Sequence, residues 1–151
     1  MFHRYDYEAE FYPALSRLPL DLRRKLDLTG IKISLKHWLA YSMEERAVLC
    51  HLSCDSDDEK EVFRRYLDFL SGKYLGQPTE KTVAMSETLW SDAVVPDAVV
   101  ERCRSLREVI TLEEWRRWPS HHRFALYKSA ISKSQPEAFE QVLRQLRQLV
   151  D

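Results

Sequence analysis

Glycine is scarce in this chain: Gly30, Gly72 and Gly76 are the only three in 151 residues. Phosphate-cradling loops need clustered glycine where backbone approaches a phosphate closely, so a nucleotide enzyme of the Rossmann or P-loop kind is not expected. Cysteine is scarce as well. Cys50, Cys54 and Cys103 are odd in number and show no paired framework, which points to a reducing compartment. No apolar run approaches the roughly 20 residues of a membrane span. Met1-Phe2-His3-Arg4-Tyr5-Asp6 leads into no apolar stretch, so no signal peptide is expected and a cytoplasmic location is the default. Charge of one sign is also lacking: 23 Lys and Arg face 24 Asp and Glu. Nucleic-acid binders carry a basic excess, so neither nucleic acid nor membrane is expected as a partner.

Chemistry-bearing patterns are few. No Gly-x-Ser-x-Gly elbow occurs, and Cys103 falls on the apolar face of its helix, so nucleophilic catalysis finds no support. Cys50-His51-Leu52-Ser53-Cys54 puts two thiols on one helix face, but a closed zinc site needs four ligands. His121-His122 is remote and its neighbouring side chains diverge. Buried small residues are the favoured reading of these cysteines. Ser34–Leu52 has the outline of a helix-turn-helix, yet Glu44 and Glu45 at the start of its second helix would repel phosphates. No catalytic residue, cofactor-binding residue or metal ligand is assigned, and no cofactor is expected.

What is present is an ordinary globular composition, 44% hydrophobic and 31% charged. Such a chain is expected to form one helical domain over 1–151. The second half echoes the first at a fixed offset, the one that carries Ile33 onto Ile110. Ile33-Ser34-Leu35-x-x-Trp38-x-x-Tyr41 returns as Ile110-Thr111-Leu112-x-x-Trp115-x-x-Trp118. Arg46 meets Arg123 and Leu49 meets Leu126; upstream, Pro19 meets Pro96. We take this as an internal duplication with repeat units at about 12–76 and 88–150.

The periodicity predicts an all-α fold of about eight helices, as two similar four-helix units packed face to face, with a short aromatic lead-in. Phe2, Tyr5, Tyr7 and Phe11 suggest an extended lead-in with room for a short edge strand. Leu22 and Leu26 belong to a helix starting near Pro19 and ended by Gly30. Ser34 caps a short helix carrying Trp38. Ser42-Met43-Glu44-Glu45 is a capping box. The acidic run Asp55–Glu61 opens a long helix with an apolar stripe of Val62, Phe63, Tyr66, Leu67, Phe69 and Leu70, closed by Gly72 or Gly76. Residues 77–91 are polar and aperiodic, a linker pinned at its end by Trp90. The second unit repeats the plan, from a helix carrying Val99 and Cys103 to a last helix carrying Phe139, Val142, Leu143, Leu146 and Leu149. The paired Trp38/Tyr41 and Trp115/Trp118 are expected to anchor the core, and Arg46 and Arg123 to bind carbonyls or a carboxylate within each unit.

The stretch from Pro19 to Trp38 is similar to the nitrate reductase-associated protein family, small proteins of cyanobacteria and other bacteria. The matching elements are Pro19, Arg23-x-Lys25-Leu26-Asp27, Gly30-Ile31-Lys32, Trp38, and Glu45-Arg46 with Cys54. Trp115 and Arg123-Phe124-Ala125-Leu126 extend the likeness over nearly the whole chain. The resemblance implies a non-enzymatic accessory protein whose partner is nitrate reductase or another nitrogen-assimilation protein. It supplies no catalytic residue. Among its matched polar residues, Arg23, Lys25, Asp27 and Lys32 surround the Gly30 turn and are the candidate partner-binding set. The competing role for them is local ion pairing worth a few tenths of a kcal/mol each. Arg102, Arg104 and Arg107 hold a comparable place in the second unit. The alternative function is a small-molecule or metal binder, with a site between the units lined by Trp residues, Cys50 and Cys54.

Overall fold

The computed structural model describes residues 1–149, so position 150, which closes the second expected repeat, lies outside the described residues. The fold is all-α, with eight α-helices among the described residues and one two-stranded ladder. The chain divides into two compact units. One comprises Met1–Arg4 and Glu8–Ser86; the other comprises Tyr5–Tyr7 and the chain from Glu87 onward.

The first unit contains α1 (Leu20–Thr29), α2 (Leu35–Ala40), α3 (Met43–His51) and α4 (Asp57–Leu75). Local chemistry sets their ends. Pro19 precedes the first turn of α1, a position where its missing N–H costs nothing. Gly30 ends the helix at φ 70° with its N–H on the Leu26 carbonyl, a left-handed stop that suits glycine. The Ser34 hydroxyl accepts the His37 N–H. Ser42 and Glu45 form the expected capping box on α3, each satisfying an N–H of the other's backbone. A second box, Ser56 with Glu59, starts α4, and Gly76 at φ 72° ends it. Gly72 is an interior residue of α4 rather than its stop, because the helix can continue through it with open space on that side. Leu22, Leu26, Trp38, Leu49, Phe63, Leu67 and Leu70 form the core, where α4 packs on α1, α2 and α3. Each such side chain contributes about 1.5–3 kcal/mol on full burial.

The second unit contains α5 (Asp97–Ser105), α6 (Leu112–Arg117), α7 (Ser120–Ile131) and α8 (Ala138–Leu149). Thr111 caps α6 as Ser34 caps α2. Helix α7 is buried against α5, α8 and a 3-10 turn at Glu87–Trp90. Phe139, Val142, Leu143 and Leu146 of α8 are buried; Leu149 is exposed.

The offset seen in the sequence recurs in the contacts that each unit makes internally. The Trp38 indole N–H donates to the Leu15 carbonyl at 2.7 Å, and the Trp115 N–H to the Ser91 carbonyl at 2.7 Å. Arg46 donates to the Tyr41 and Leu15 carbonyls, and Arg123 to the Trp118 and Trp90 carbonyls, as expected. The Trp38–Tyr41 and Trp115–Trp118 rings meet edge-on at 6.4 Å in both units. Among the described residues, the two buried side-chain polar atoms left without a hydrogen bond also match, Tyr41 Oη and Trp118 Nε1.

Three local expectations are corrected. The lead-in forms no edge strand; it makes a 3-10 turn at Asp6–Glu8, because the buried Glu8 carboxylate accepts the Tyr12 hydroxyl and the Leu20 N–H. The stretch expected to be a linker is structured instead. Glu80–Lys81 (β2) pairs antiparallel with Ile31–Lys32 (β1), with Ile31 opposite Lys81 and Lys32 opposite Glu80. Asp68 fixes it by accepting the Thr79 N–H, the Thr79 hydroxyl and the Lys81 ammonium. On α4 the buried stripe is narrower than expected: Phe63, Leu67 and Leu70 point inward, while Val62 and Phe69 face solvent.

Candidate functional site

Helix α1 buries charge as well as leucine. Asp21, Arg24, Lys25 and Thr29 are all buried along its ten residues. Spacing of three and four residues sets Arg24 and Lys25 over Asp21 on adjoining turns. Arg24 Nε lies 2.9 Å from Asp21 Oδ1, and Lys25 Nζ lies 3.6 Å from Oδ2. The His3 N–H donates to Oδ2 at 3.0 Å. Lys25 Nζ donates to the Met1 and Cys50 carbonyls. A cation on the last-turn carbonyls of α3 also complements that helix dipole. The second unit does the same at the equivalent position, where Arg102 donates to the Ala130 and Ser132 carbonyls at the end of α7.

This cluster is chemically quiet. Burial pushes the Cys50 thiol up to about 12 and the Cys54 thiol up to about 11, against the pull of the Lys25 charge. Burial therefore favours the protonated thiol at both positions, which makes them poor nucleophiles at neutral pH. Burial lowers the Lys25 pKa while Asp21 opposes the shift. Burial also lowers the His3 pKa, with Asp21 again opposing. Burial raises Glu8 to about 7 despite its hydrogen bonds, since a low-dielectric setting disfavours the charged form. Among the described residues no group of three or more His, Cys, Asp or Glu is placed to hold a metal ion.

The Gly30 turn is held from outside α1. The Gly30 carbonyl accepts the Thr82 N–H at 2.8 Å, and the Asp27 carbonyl accepts the Met85 N–H at 2.8 Å. A Cβ at Gly30 would lie 2.6 Å from the Thr82 carbonyl oxygen. Arg64 donates to the Thr29 carbonyl. The turn is thus a fixed platform. Of the four candidate docking residues three reach the surface. Lys32 is exposed on β1, and Arg23 and Asp27 are half-buried. Lys25 is not among them. Its side chain is fully buried and its ammonium is engaged internally, so it cannot meet a partner. Among the described residues the Lys32 side chain has no ion-pair or hydrogen-bond partner, while the Arg23 charge acts on the buried Glu8 carboxylate.

All four tryptophans are buried. Trp38, Trp90 and Trp115 are fully buried, and each donates its indole N–H within its own unit. A cavity of about 240 Å³ in the second unit is lined by Val100, Cys103, Arg104, Val109 and Ile110 among others, with no Trp and neither Cys50 nor Cys54. Sequence reasoning missed two features here, Lys25 as an internal strut and this cavity. The offset that pairs Lys25 with Arg102 was the available signal for the first.

No helix among the described residues is long and apolar enough to cross a membrane. A family model described as conserved nitrate reductase-associated protein matches residues 4–146. No curated protein and no solved structure matches the chain.

Proposed function

Because the chain belongs to the conserved nitrate reductase-associated protein family, we propose that it supports assimilatory nitrate reductase as a non-enzymatic accessory protein in the cytoplasm, by direct protein–protein contact. The contact surface is the Gly30 platform, with Arg23, Asp27 and Lys32 as its polar elements. The observation that carries this reading is the exposed, unpartnered Lys32 on a turn whose backbone is fixed by Thr82 and Met85, with Arg23 half-buried on the helix that leads into it. A pre-ordered loop loses little entropy on docking, which favours binding. An unpaired cation attracts a partner's carboxylates and speeds encounter. Lys25 and Asp21 act behind this surface, fastening α1 to α3 so that the platform keeps its place.

A deletion strain tests the role. Nitrate reductase activity per unit of reductase protein should fall when the gene is removed and return with the wild-type copy. It should not return with an Arg23→Glu/Lys32→Glu copy that folds normally. Unchanged reductase activity after deletion would end the proposal.

A further inference from the structure

Among the described residues helix α4 leaves Val62 and Phe69 exposed on one face, with Tyr66 between them half-buried against the core. Val62, Tyr66, Phe69 and Lys73 follow one another at steps of four, three and four residues, so they form a single line down the helix. Val62 is 55% exposed and Phe69 62%, high values for apolar side chains two turns apart on one helix. The Tyr66 and Phe69 rings lie nearly parallel, at 14°, with centroids 6.4 Å apart, and Phe69 is the exposed one of the two. The first turn of the helix is acidic, with Asp57, Asp58 and Glu59; its last turn carries Lys73.

We propose that this face is where two copies of the chain associate, through antiparallel packing of α4 against α4. The charge order selects the occupant and its direction. Val62 and Phe69 are equally far from the point midway between residues 65 and 66, and so are Asp58 and Lys73. An antiparallel pair centred there seats Val62 on Phe69 of the second copy. The same register brings Asp58 to Lys73 of the second copy, at both ends of a contact about 22 Å long. A parallel pair would instead set Asp58 on Asp58 and Lys73 on Lys73. Lys73 already lies 2.9 Å from Glu45 and stays half-exposed, so it can meet a second carboxylate. One helix face gives a small interface, so the dimer is reversible and concentration-dependent.

Sedimentation equilibrium of the full chain, over a series from micromolar to millimolar, tests this independently of any role with nitrate reductase. The wild type should approach twice its 18.0 kDa mass. Phe69→Glu, whose side chain is exposed, should stay at the single-chain mass with an unchanged circular dichroism spectrum. Asp58→Lys should raise the dimer dissociation constant about tenfold at low salt. A wild type that stays monomeric at millimolar concentration would overturn the proposal. So would a Phe69→Glu variant that dimerises as the wild type does, or an Asp58→Lys variant that dimerises more tightly. A monomeric wild type whose reductase binding is lost on Phe69→Glu would assign the face to that partner instead.

Discussion

Replacing Lys25 by methionine keeps the length of the side chain and removes its ammonium. The Lys25 side chain is fully enclosed, and Nζ donates to two carbonyls, of Met1 and Cys50. Without it the buried Cys50 carbonyl loses its donor, at about 1–3 kcal/mol, and the part-buried Met1 carbonyl loses another, at about 1 kcal/mol. Asp21 keeps Arg24 Nε at 2.9 Å and the His3 N–H at 3.0 Å, so its charge is not left bare. Relief of the lysine's own desolvation offsets part of the loss. The net expectation is about 1–3 kcal/mol of destabilisation, a large share of a typical total of about 5–15 kcal/mol. Urea denaturation followed by circular dichroism measures it. With a slope of about 1–3 kcal/mol/M, the midpoint should fall by about 1 M. Lys32→Met, on the exposed partner of the same candidate set, should leave the midpoint where it was. A Lys25→Met midpoint within about 0.3 M of wild type would refute the strut argument, since that shift is under about 1 kcal/mol.

Other substitutions probe separate parts of the account. Gly30→Ala forces a Cβ to within 2.6 Å of the Thr82 carbonyl oxygen, in a turn whose backbone is left-handed. It should cost about 1–3 kcal/mol and lower Tm. Gly72→Ala, inside α4 with open space around it, should raise stability by about 0.5–1 kcal/mol. Glu8 is raised by burial from 4.5 to about 7, so its contribution is full below the unfolded value and is lost as pH rises through that window. The loss is up to about 3 kcal/mol, and Glu8→Gln should flatten the pH–stability curve there. Glu45 works in the opposite sense. Burial pushes it up, but hydrogen bonds from Tyr74, Ser42 and Lys73 outweigh that and hold it at about 2, so its contribution is present above pH 4.5 and fades toward 2. Glu45→Gln should make the acid limb of the same curve shallower, leaving the part that Asp68 and Glu59 supply. Cys50 and Cys54, held protonated by burial, should resist a thiol reagent in the native protein and react only at the rate of unfolding, which a labelling time course in urea would show.

Much of the fold was legible because its signals are local. Ser34, Ser42 and Thr111 each satisfy an N–H group in the first turn that follows, and Gly30 and Gly76 supply left-handed ends. The Trp and Arg pairs were legible for another reason. Their repetition at one fixed offset predicted a shared task before its carbonyl partners were known. What failed depends on distant chain. Lys25 sits in a charged triplet that resembles a solvated turn. Only the arrival of the Cys50 carbonyl, from the end of α3, and of Met1 buries it. The β1–β2 ladder has two residues per strand and no periodicity of its own; Asp68 on α4 and the Gly30 carbonyl hold it. Val62 and Phe69 were apolar at helical spacing, which says that a face exists but not whether anything covers it.

The central claim is a direct contact with nitrate reductase through the Gly30 platform. Affinity purification of the tagged chain from its native host grown on nitrate, with eluted subunits identified by mass spectrometry, tests it most directly. The wild type should recover the reductase, less of it as salt rises, and an Arg23→Glu/Lys32→Glu chain of unchanged Tm should recover none. Recovery of the reductase with neither chain, or equally with both, would contradict the account.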